Sequence, residues 1–144
     1  MITWETREGW LEQIPHKSQV RFALFCAMQI EEVWKDSLGS VNAVATVERW
    51  LEGKATAEEC KDAAYYAAGA AAYPAYPAYY AAYCAAHHAV AYPAYPAYYA
   101  AYCAAQHAVA DESLKQEQVE YLRELYFESL PEETRNSWLV QACL

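Results

Sequence analysis

The chain has 144 residues, 56% of them apolar or aromatic, with a formal net charge of -9 and a sequence pI near 4.8. That length fits one domain with a real core, and that composition excludes a chain kept open by its own polarity. The acidic balance excludes non-specific binding to nucleic acid and attraction to anionic lipid, leaving a basic partner or simple solubility as its use.

The opening "MITWETREGW" carries charge and has no apolar run, so a signal peptide is not expected. Cys26, Cys60, Cys84, Cys103 and Cys143 make an odd count without framework spacing, which predicts a reduced, cytoplasmic chain. His16, in "IPHK", reads as a solvated loop residue. A first long helix is predicted in "QVRFALFCAMQIEEVWKDSLG", where Leu24, Met28, Ile30, Val33 and Trp34 recur at helical spacing and Gly39 supplies a stop. A second begins with Ser40 as its cap, carries Val41, Val44, Val47 and Leu51 on one stripe, and ends at Gly53. "TAEE" then forms a capping box, with Thr56 and Glu59 satisfying each other's backbone N–H groups at the start of a third helix.

Charge divides the chain into three compartments. Residues 1–62 hold seven basic and eleven acidic residues, residues 63–110 hold none of either, and residues 111–144 hold three and eight. The uncharged run exceeds the ~20 residues needed to span a bilayer. Its 23 alanines, 12 tyrosines, four prolines and three histidines are too weakly apolar for hydrocarbon, so a buried centre is expected and a membrane span is not.

Within that run one unit is written twice, at residues 72–90 and 91–109, and the copies differ only at His87 against Gln106. Pro74 and Pro77, and again Pro93 and Pro96, fit the first turn of a helix, where a missing N–H costs no helical bond. Each copy is therefore predicted to be one helix with an alanine face opposite a tyrosine stripe. Duplication adds a second layer that packs by the same rules. After it, one strong helix is expected with Leu114, Leu122, Leu125 and Tyr126 inward, then a shorter one opened by Pro131.

Two candidate sites follow from the repeat. Tyr76, Tyr80, Tyr83, Tyr95, Tyr99 and Tyr102, with His87 at one end, would line a pocket able to stack on a planar ligand. The competing reading is a core built from tyrosine. Cys84 with His88, and Cys103 with His107, are each four apart on a helix, and side by side would offer Cys₂His₂ to zinc. Small cysteines packed at a helix interface explain the same pattern, so no cofactor is assigned. Cys84 or Cys103 activated by His88 or His107 would be a nucleophile, but no carboxylate lies nearby in the uncharged run to orient the base. No catalytic residue is assigned, and the chain is read as a non-enzyme.

"RFALFCAMQIEEVW", "SVNAVATVERWLEGKATAEECKDAA" and the alanine-rich tract together resemble immunity proteins of bacterial polymorphic toxin systems, over residues 21–110. In that family a helix ending in a pattern like "RWLEGKAT" precedes long alanine runs broken by aromatic or histidine residues. The resemblance implies a protein that neutralises a toxin or defence protein by binding it, and carries over no catalytic residue. The alternative is a sequestering protein for a nucleotide signal, phage-encoded counter-defence included, using the tyrosine and histidine pocket. A structural, homo-oligomeric helical protein is a third reading. The expected fold is all-α: one domain over residues 1–144, a bundle of about six or seven helices around the tandem helical repeat.

Overall fold

The computed structural model describes residues 1–36, 38–70 and 112–136. Regular structure among them is entirely helical: α1 (Arg7–Leu11), α2 (His16–Met28), α3 (Glu31–Trp34), α4 (Leu38–Leu51), α5 (Ala57–Ala70), α6 (Glu112–Ser129) and α7 (Glu132–Arg135). The all-α expectation holds. The tandem repeat, with the helices expected in its two copies, and the chain after residue 136 lie outside the described residues. Among the described residues no helix is long and apolar enough to cross a membrane.

The α4–α5 hairpin is specified locally. Gly53 adopts φ 76°, the left-handed conformation that glycine enters without steric cost. The Gly53 N–H then donates to the Trp50 carbonyl at 3.0 Å and the Lys54 N–H to the Arg49 carbonyl at 2.7 Å, closing α4 with both bonds of a Schellman motif. Three residues later the capping box forms as expected. The Thr56 N–H donates to Glu59 Oε1 at 3.2 Å, and the Glu59 N–H to Thr56 Oγ1 at 3.1 Å.

Between the two helices, Ala43 and Val47 meet Cys60, Ala63 and Ala64, with Val20 of α2 completing the cluster and Leu24, Trp50 and Leu51 around it. Alanine and cysteine let the backbones approach closely, so burial comes from fit between small groups rather than from large side chains. The Cys60 thiol donates to the Thr46 carbonyl at 3.8 Å, and burial pushes its pKa up to about 11.

The start and the inward stripe of α4 differ from expectation. Gly39 is not the stop of the preceding helix and Ser40 is not a cap; both are buried inside the first turn of α4. The chain breaks earlier, after Met28 and again after Trp34, and Met28 itself is exposed. Val41 faces outward, 39% exposed, because α5 presents alanine and is best met by Ser40, Ala43 and Val47. His16 opens α2 rather than sitting in a loop, its ring edge-on to Trp50 at 5.5 Å between centroids.

The other helices join through larger groups. Phe25 of α2 stacks on Tyr121 of α6 at 4.4 Å, and Trp10 of α1 meets Tyr126 edge-on at 4.9 Å. Leu114, Leu122 and Leu125 are buried as expected. Pro131 precedes the single turn of α7, matching its expected role as a helix opener.

Candidate functional site

Both sequence-derived constellations lie outside the described residues: the stripe of Tyr76, Tyr80, Tyr83, His87, Tyr95, Tyr99 and Tyr102, and the Cys84, His88, Cys103, His107 set. Of the cysteines, Cys26 and Cys60 are described, both free and buried. Burial raises both thiol pKa values, that of Cys26 well above the ordinary range, so both stay protonated at neutral pH and are poor nucleophiles. No group of three or more metal-ligating side chains converges among the described residues.

The described residue with the richest set of functional groups around it is not one residue but a helix, α6. At 3.6 residues per turn its side chains sort into three longitudinal faces. Leu114, Gln118, Leu122 and Leu125 form the buried face. Glu117, Glu120, Glu124 and Glu128 form an exposed acidic face. Lys115, Val119 and Arg123 form a third, and it borders the N-terminal segment of residues 1–6. The acidic face continues into Glu132 and Glu133 of α7, both exposed.

Salt bridges among the described residues join Lys35 to Glu32, Arg49 to Glu59 and Lys54 to Glu52, and none of them involves Glu120, Glu124 or Glu128. Those carboxylates therefore present their charge outward. Glu117 differs: its Oε2 accepts from Gln29 Nε2 at 3.2 Å, tying it to α2.

A relay of amides fixes the rotation of α6 that aims these faces. Gln118, 1% exposed, accepts from Trp4 Nε1 at 3.3 Å and donates through Nε2 to Gln29 Oε1 at 2.9 Å. Gln29 Nε2 donates in turn to the Leu114 carbonyl at 3.1 Å. Rotating α6 by one residue would break each bond, and buried amides without partners cost ~1–3 kcal/mol apiece. Arg123 adds a further tie, Nη2 donating to the Ile2 carbonyl at 3.1 Å.

Beside this relay the indole of Trp4 carries two cations, the guanidinium of Arg7 at 3.5 Å and the ammonium of Lys115 at 4.5 Å from its ring centroid. Arg7 is 3% exposed and also donates to the Trp4 carbonyl. Next to them a cleft of about 280 Å³ opens between the N-terminal segment and α6.

A second hollow, about 440 Å³, lies along the hairpin beside Asn42, Thr46, Arg49, Glu59 and Asp62. Its groups are engaged with one another. Arg49 binds Glu59 at 3.2 Å and the Lys54 carbonyl at 3.2 Å, and the Thr46 hydroxyl donates to the Asn42 carbonyl at 2.7 Å.

Sequence reasoning missed Trp4, Gln29, Lys115, Gln118 and Arg123. The spacing of Lys115 and Arg123, eight apart and off the glutamate face, was the available signal. Compared with protein-family models, curated proteins and solved structures, the chain matches none of them.

Proposed function

We propose that the protein is a non-enzymatic inhibitor of the immunity type, which neutralises a basic toxin or defence protein by covering it with the acidic face of α6. One observation carries the reading: Glu120, Glu124 and Glu128 follow one another at single-turn intervals, all exposed, on a helix whose rotation is fixed by buried amides. A rigid row of carboxylates steers a basic partner and sets its register. The resemblance over residues 21–110 supports the same reading.

The test is capture followed by inhibition. Wild-type chain and an E120K/E124K/E128K variant are cross-linked in the native cell and their partners identified. The expected result is one basic protein held by the wild type and lost by the variant, whose activity falls to background at equimolar inhibitor. A partner that stays active when bound, or is captured equally by the variant in low salt, overturns the proposal.

A further inference from the structure

The cleft between the N-terminal segment and α6 collects cations in a chain whose net charge is -9. Lys115 and Arg123 line it from α6, two turns apart on a face separate from the glutamates, and Thr3, Gln116 and the edge of Trp4 complete its polar wall. Arg7 lies over the same indole from below the surface, 3% exposed. Arg123 is held in place by the Ile2 carbonyl, and a guanidinium cannot shed its charge at any physiological pH. Two cations on one indole repel each other, and that repulsion is relieved by an anion bound between or beside them. The volume, about 280 Å³, sits just under the usual small-molecule range of ~300–1,000 Å³.

We propose that this cleft is a binding site for a small oxyanion, a phosphate or carboxylate group on a compact molecule, with Lys115 as the principal charge contact, Arg123 as a fixed cationic wall, and Thr3 and Gln116 as hydrogen-bond donors. One group opposes the ligand. Glu5 is exposed at the rim of the same cleft, and its carboxylate repels what Lys115 attracts. The two residues thus give the site a signature of opposite signs. The cleft and the acidic row occupy different faces of α6, so ligand binding and partner capture succeed or fail separately.

The experiment is calorimetric titration of the full chain with inorganic phosphate and, separately, malonate in low-salt buffer, with amide shifts of Thr3 and Gln116 locating the ligand. Saturable one-to-one binding of either probe is expected, phosphate alone or malonate alone telling which oxyanion the cleft prefers. Lys115→Met should weaken it about tenfold, the loss of one charge-assisted contact, and Glu5→Gln should tighten it. Glu5 is exposed, so its variant folds and decides the matter even if Lys115→Met does not. No saturable binding of either probe below about 10 mM overturns the site. So does binding that leaves Thr3 and Gln116 unshifted, or that ignores Glu5→Gln.

Discussion

The α4–α5 hairpin and the seam of α6 against the N-terminal half are held by different physics. In the hairpin, the ends of the helices are set by residues three to five apart, and the contact is made of alanine, valine and cysteine. In the seam, the partners are 85 to 121 residues apart in the chain, and the contact is made of aromatic rings and amides. The hairpin needs little help from the rest of the molecule to know its shape. The seam exists only once the chain has closed on itself, and it is the seam that aims the candidate functional faces.

Removing a large buried side chain from the seam separates the two regions most strongly. Leu122 is wholly buried in the inward face of α6. Leu122→Ala should cost ~2–5 kcal/mol, lost transfer energy plus the cavity left behind. Hydrogen exchange should then show α6 and the N-terminal segment opening together, while the backbone amides of α4 and α5 keep their protection. Equal loss of protection in the hairpin would mean that the two regions are one cooperative unit.

The same division explains what could be read from the sequence. "GKATAEE" gave the Schellman glycine, the loop and the capping box because each is decided by neighbours within one turn. Leu114, Leu122 and Leu125 were legible because leucine recurring at helical spacing has one ordinary use. Gly39 and Ser40 misled, since both residue types favour helix ends. Here their small size matters more, and it lets the first turn of α4 be buried. Gln29 and Gln118 carried no local signal at all. Two glutamines on exposed-looking helices become a relay only after α2 and α6 pack side by side. The acidic compartment was visible in composition, but its division into an outward row and the tethered Glu117 required the rotation of α6.

A smaller effect tests the relay itself. Gln118→Ala removes the acceptor of Trp4 Nε1 and the donor to Gln29 Oε1. The expected loss is ~1–3 kcal/mol for each partner left dry, and more than the truncated packing alone would give. A double-mutant cycle with Gln29→Leu should show coupling of ~0.5–3 kcal/mol, since the second change removes a group that the first stranded. Additive losses would reduce the two amides to independent packing residues. Indole fluorescence from Trp4 provides a second readout, because its N–H loses a fixed partner in the variant.

The smallest effect falls on the hairpin and divides two jobs held by one residue. Glu59 closes the capping box with Thr56, and it also pairs with Arg49 across the loop at 3.2 Å. Both side chains of that ion pair are about half exposed, 52% for Arg49 and 49% for Glu59, so water screens it and ~0–1 kcal/mol is the most it should contribute. The box is different, because it satisfies two backbone N–H groups that the first turn leaves without helical acceptors. Glutamine serves at that position of a capping box as well as glutamate does. Glu59→Gln should therefore keep the box, delete the ion pair, and change stability by only a few tenths of a kcal/mol in moderate salt. Glu59→Ala removes both and should cost ~1 kcal/mol, close to Thr56→Ala, which removes the other half of the same box. If Glu59→Gln proves as damaging as Glu59→Ala, the ion pair with Arg49 holds the hairpin and the local account of its stability fails.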